Sequence, residues 1–186
     1  MKKKVTAVIV TMLVLLSLTA FAAQKDEITW INGLLTPLTF EEVVNDSDLI
    51  VKVKVLERVE TIHYEHDDVT KFRAEVKKTY KGNIDTDYVE FYQAGAPERQ
   101  YKQNPLLEEK KQYILFLNEV ESPYGPAYLI TGEGYGRFDL NNGKVKQQLQ
   151  SLNESGEEVK IEQLEDLEEE ITVKVKKAKD KAKNKQ

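Results

Sequence analysis

The 186-residue chain contains no cysteine. Disulfides, thiolate nucleophiles, cysteine-ligated zinc and the thioether anchor of a lipoprotein are therefore excluded, and the fold has to be held by burial alone. Histidine is almost as scarce: only His63 and His66 are present, so any imidazole chemistry has to be built at one place. Gly132, Gly134 and Gly136 lie in a strand pattern with no helix behind them, so no phosphate-cradling glycine loop is present. Positive charge does not dominate either. The formal net charge of -5 argues against nucleic acid as a partner, because neutralising a phosphate backbone needs clustered cations.

What is present is enough apolar material for one core and a well-solvated surface, with 40% hydrophobic and 32% charged residues. Such a length holds one domain of ordinary size plus a tail. The chain opens with a secretion signal: Lys2, Lys3 and Lys4, then the apolar stretch Val5 to Leu18, then Ala20-Phe21-Ala22 with small residues where a signal peptidase reads. Cleavage after Ala22 is expected, releasing a protein that acts outside the cell or at the wall and is not integral to the membrane. The lack of cysteine fits the habit of Gram-positive secretion. The competing reading is an uncleaved anchor over Val5 to Ala23, just long enough to span a bilayer.

After an extension over 23–37, Thr39-Phe40-Glu41-Glu42 carries the signature of a capping box and predicts a short helix through about Asn45. Leu49, Val51, Val53 and Val55 then alternate with polar residues, and Phe72, Ala74, Val76 and Tyr80 repeat the two-residue period, which predicts a long hairpin. Further strands are expected at Tyr88 to Tyr92, at Tyr113 to Leu117 (apolar throughout, hence central), at Ala127 to Thr131 and at Tyr135 to Leu140. The turn residues Asn142-Gly143 should return Lys144 to Leu149 antiparallel to the last of these. A linker over 151–158 precedes an amphipathic helix and tail over 159–186. It is acidic first and basic last, in keeping with the helix dipole, and its lysine-rich end is expected either to fray or to touch an anionic polymer or lipid.

Several of these segments taken together resemble a known family. They are Phe40-Glu41-Glu42-Val43-Val44, Ser47-Asp48-Leu49-Ile50-Val51, Tyr80-Lys81-Gly82, Lys111 to Leu117, Gly134-Tyr135-Gly136-Arg137-Phe138 and Asn142-Gly143-Lys144-Val145. In that order they are similar to the bacterial exported form of the OB-fold found in tissue inhibitors of metalloproteinases and netrin-like modules. The resemblance covers roughly Leu38 to Gln150. It implies a mainly β domain over 38–150: a small five-stranded OB-like Greek-key barrel with a short N-terminal helix and a C-terminal amphipathic helix. It does not carry over the inhibitor activity, which needs an N-terminal cysteine that this chain lacks.

The one cluster with the composition of a site is His63-Tyr64-Glu65-His66-Asp67-Asp68. His63, Glu65, His66 and Asp67 are the candidate metal ligands, since imidazole and carboxylate suit a divalent ion, provided the segment is a loop and not a strand. Trp30, Tyr88, Tyr92 and Tyr101 are the candidate partner-binding aromatics, although Trp30 is expected first of all to plug the end of the barrel. No catalytic spacing is visible and nothing calls for a cofactor. The sequence thus leads to a secreted, non-enzymatic binding module for an extracellular protein or cell-envelope polymer. The alternatives are a metal-binding protein or metal-dependent hydrolase at the His63/His66 loop, and a structural matrix component.

Overall fold

A computed structural model describes residues 28–33, 35–65, 67–122, 125–153 and 155–184. The leader and His66 lie outside the described residues. In chain order the elements are β1 (Thr29–Ile31), α1 (Phe40–Asp46), β2 (Leu49–His63), β3 (Asp68–Lys81), β4 (Tyr88–Ala94), β5 (Arg99–Tyr101), β6 (Gln112–Ser122) and β7 (Gly125–Ile130). A single 3₁₀ turn (Glu133–Gly136), β8 (Arg137–Asn141), β9 (Lys144–Gln147) and α2 (Leu164–Lys183) complete the order. The fold is mainly β. Among the described residues no helix is long and apolar enough to cross a membrane.

The first helix forms as its capping box dictates: the Glu42 N–H donates to the Thr39 hydroxyl at 3.1 Å and the Thr39 N–H donates to the Glu42 carboxylate at 2.7 Å. Its buried face is Phe40, Val43 and Val44. The long hairpin is β2 with β3, paired from Ile50↔Lys81 to His63↔Asp68 and broken by register shifts that include Val55/Glu57 and Arg58/Glu60. Leu56 and Val59, the residues skipped at those two shifts, are exposed. Extra residues of this kind twist the far end of the hairpin where β2 has run past β6.

The closed five-stranded barrel that the resemblance implies is not confirmed. Seven strands form one sheet in the order β2-β3-β4-β7-β6-β8-β9, with β2 and β6 also paired, and β1 and β5 make a separate parallel pair. The sheet curls until β2 meets β6 (Leu49↔Leu117 to Lys54↔Gln112), but it is not a cleanly closed barrel. The reason lies in β6. One of its edges serves β2, while the other is divided between β8 at Gln112–Leu115 and β7 at Leu117–Ser122. The remaining joint, β4 with β7, is parallel and only two pairs long, Phe91↔Tyr128 and Tyr92↔Leu129.

Both faces of β2 and β6 are covered, which is why Tyr113 to Leu117 reads as unbroken apolar sequence. Leu49, Val51, Val53, Phe72, Phe91, Tyr113, Leu115 and Leu117 fill the concave side. Ile50, Ile114, Phe116 and Phe138 face outward, under Phe40, Val43 and Val44 of α1 and Leu167, Ile171 and Val175 of α2.

Several boundaries differ from the sequence reading. Tyr135 and Gly136 belong to the 3₁₀ turn, so β8 starts at Arg137. The terminal helix starts at Leu164 and not at 159, because the preceding residues run along β9, where the Val145 N–H donates to the Glu162 carbonyl at 2.9 Å. Its lysine-rich end is helical through Lys183. The Asn142-Gly143 turn forms with both residues at positive φ, 49° and 79°.

Candidate functional site

A cleft of about 360 Å³ opens at the β2–β3 turn, lined by Gly33, Leu35, Asp67, Asp68, Val69, Ala94, Tyr101, Gln103, Asn104 and Glu133. Its walls come from five separate parts of the chain, and each is fixed by a local contact. The β2–β3 turn is closed by the Tyr64 N–H donating to the Asp67 carbonyl at 2.8 Å. The end of β4 is tied to β3 through Gly95, whose N–H reaches the Asp68 carbonyl at 2.7 Å and whose own carbonyl accepts from Thr70 Oγ1 at 2.7 Å. The Gln103 amide holds Gly33 reciprocally: its Oε1 accepts from the Gly33 N–H at 3.3 Å and its Nε2 donates to the Gly33 carbonyl at 3.2 Å.

Behind the cleft lies a buried polar network. Asn104 Nδ2 donates to Glu133 Oε2 at 2.8 Å, and Asn104 Oδ1 accepts from Gln93 Nε2 at 3.0 Å. Gln93 Oε1 in turn accepts from the Leu107 N–H at 3.0 Å. Arg137, only 3% exposed, donates to the Pro105 carbonyl and binds Asp139 through Nε at 2.7 Å and Nη2 at 3.2 Å. Its guanidinium also stands 5.3 Å from the centre of the Tyr113 ring. Every amide and guanidinium of this network is used in holding Asn104 and the 104–107 segment, and Asn104 holds Glu133.

Glu133 sits at φ 56°, a conformation that L residues adopt rarely, directly after Gly132 at φ 59°. Burial raises its carboxyl above the usual range, with the Asn104 bond acting against that. Asp68 is met by His63 Nδ1 at 2.8 Å and by Arg99 Nη1 at 3.5 Å, and Asp67 accepts from the Tyr101 hydroxyl at 3.0 Å. Burial, and then the Asp67 carboxylate, raise the Tyr101 hydroxyl. The cleft thus presents three carboxylates and a phenol on a wall that includes Leu35 and Val69. That chemistry suits a cationic group carried on an apolar stem.

The other residues marked in the sequence are dispersed. Of the four expected metal ligands, His63 pairs with Asp68, Glu65 is exposed, Asp67 turns to Tyr101 and His66 lies outside the described residues. Among the described residues no group of three or more histidines and carboxylates stands close enough to hold a metal ion. Of the aromatics, only Tyr101 reaches the cleft. Tyr88 and Tyr92 flank Glu90 on the outer side of β4, with the Arg73 guanidinium 5.3 Å from the first ring and Lys71 Nζ 5.8 Å from the second. Trp30 does not plug the barrel end: it is 46% exposed on β1, opposite Gln100. Sequence reasoning missed Asp68 as a partner of His63, and it missed Gln103, Asn104 and Glu133 altogether. Only the closely spaced glycines around Glu133 hinted at a tight turn there.

No family model matches the chain, and no curated protein matches it.

Proposed function

We propose that the chain is a secreted, non-enzymatic binding module with an OB-like barrel, and that its cleft takes a lysine or arginine side chain presented by an extracellular protein. The leader sequence supports export. The OB-like reading is supported by the cycle of pairings β2-β3-β4-β7-β6-β2, antiparallel except for β4 with β7. In such barrels the loop between the first two strands of the cycle is a common ligand-binding element. Here that loop joins β2 to β3, and its Asp67 lines the cleft.

The observation that carries the reading is Glu133. A half-buried carboxylate at a positive φ, supported by a buried network and lining a cleft that already holds Asp67 and Asp68, costs stability unless a cation offsets it. The test is capture of proteins from culture supernatant and wall extract on immobilised protein, beside a Glu133→Gln variant whose amide keeps the Asn104 bond. The wild type should retain a saturable partner that free arginine amide elutes and the variant loses. Equal capture by both, or capture indifferent to arginine amide, rejects this use of the cleft.

A further inference from the structure

The apolar side of α2 is fully used: Leu167, Ile171 and Val175 are buried against the outer face of the sheet and α1. What its C-terminal half shows to solvent is positive charge. Residues 174–183 contain six lysines and one acid, Asp180, in a chain whose net charge is -5. The helix dipole does not account for them, because its pull fades within the last turn, whereas the lysines start at Lys174, nine residues before the end at Lys183.

Internal pairing does not absorb them either. Lys174, Lys177 and Lys181 converge on the single carboxylate of Glu41, at 3.2, 3.2 and 2.8 Å. Lys176, Lys179 and Lys183 form no ion pair among the described residues. Lys179 adds its positive charge to that acting on Lys81, which is already engaged with the Val44 and Asn45 carbonyls. Lys174 has a second carboxylate within reach, Glu170 at 3.9 Å, whereas Lys176, Lys179 and Lys183 keep their charge unneutralised among the described residues.

We infer that the outer face of α2, at Lys176, Lys179 and Lys183, docks a linear polymer of repeating phosphodiesters of the kind found in cell envelopes. Helical steps of three and four residues set these ammoniums about 5 Å apart along the axis, a spacing that a chain of repeated anions can follow. A bilayer is the poorer occupant, since an interfacial helix needs a free apolar face and here Val173 is the one large apolar side chain exposed on the helix. Nucleic acid is poorer too, because α2 has no aromatic residue on which bases would stack.

The experiment is titration of the purified protein with poly(glycerol phosphate) at 50 and 200 mM salt, with phosphatidylglycerol vesicles and single-stranded DNA of matched charge as parallel arms. The polymer should bind, and with three ammoniums engaged the affinity should fall on the order of 10- to 60-fold between the two salts. Lys176→Gln/Lys179→Gln/Lys183→Gln, which breaks no ion pair and should keep its unfolding midpoint, should lose at least tenfold. Glu133→Gln should bind as the wild type does, which separates this face from the cleft. No binding at 50 mM salt, undiminished binding by the triple variant, or equal or tighter binding of vesicles or DNA each overturns the inference.

Discussion

Asp139→Asn should destabilise the protein more than Arg137→Met, although Asp139 is the more exposed partner of the pair. The Arg137 side chain is 3% exposed and that of Asp139 is 36% exposed. Removing the carboxylate leaves a guanidinium that water cannot reach, with only neutral acceptors at Asn104 and Pro105. Stranding a buried charge in this way costs about 3–5 kcal/mol, and the oxygen that Asn retains places the expected loss near the lower end. Replacing Arg137 by Met instead removes the charge and keeps most of the volume beside Tyr113. Asp139 can then rehydrate, and the Pro105 carbonyl still accepts from Gln93 at 3.0 Å. The net effect should stay within about 1 kcal/mol, as it often does when a buried ion pair gives way to apolar packing. Urea unfolding followed by far-ultraviolet circular dichroism reads both variants on one scale. At about 1–3 kcal/mol per molar urea, Asp139→Asn should lower the midpoint by at least about 1 M while Arg137→Met leaves it nearly in place. A larger loss for Arg137→Met would refute the view that this pair is held for position and not for stability.

Glu41 is the second target: its hydrogen bonds to Lys181, Lys174 and Lys177 hold its carboxyl down at about 2. A depressed carboxylate stabilises the fold above its ordinary titration range and loses that contribution as the pH falls toward the folded value. Glu41→Gln should therefore cost roughly 1–2 kcal/mol at pH 7, discounted for partly solvated pairs, and the gap to wild type should close between pH 4.5 and 2 in acid-unfolding curves. A gap independent of pH would contradict it. For Glu133 the sign reverses, since a raised carboxyl stabilises below the ordinary carboxylate range and loses that contribution as the pH rises. Glu133→Gln should raise stability at pH 7 by about 0.5–2 kcal/mol while losing partner capture; a lower thermal midpoint would count against the burial argument. Gly136→Ala would place a Cβ 2.5 Å from the Thr131 carbonyl oxygen and 3.0 Å from that of Phe116. A loss of about 3 kcal/mol or more is expected, visible as a lowered melting temperature, and a neutral outcome would mean that the turn relaxes freely.

The elements legible in the sequence are those whose cause is local. Thr39 and Glu42 cap a helix by reaching three residues along the chain, Leu49 to Val55 alternate because one strand faces two environments, and Asn142-Gly143 accepts positive φ within a single turn. The illegible parts depend on distance. β1 pairs in parallel with β5 across about 70 residues, Thr29↔Arg99 to Ile31↔Tyr101, and both segments are only three residues long, too short for any period to show. That pairing holds Trp30 at the surface. His63 and Asp67 were noticed for their residue types, yet their partners, Asp68 and Tyr101, follow from the turn and from the excursion that carries β5.

The same cause underlies both the incomplete closure of the sheet and the missed site. A cleanly closed sheet would let β7 run the full length of β6. Here β7 leaves at Ile130, opposite Leu117, and β8 takes over at Arg137, opposite Leu115. Between them the chain has to turn over the single residue Phe116, whose carbonyl accepts from the Thr131 N–H at 2.8 Å. Gly132 and Glu133 at positive φ, and Gly136 pressed against backbone, make that turn tight enough to fit. The exchange of partners on one edge of β6 thus delivers Glu133 to the cleft and, four residues later, sets Arg137 under Asn104, which holds the Glu133 carboxylate. The opening in the sheet and the acidic cleft are therefore one feature, written in residues 131–137 and visible only once β6 is known to be shared.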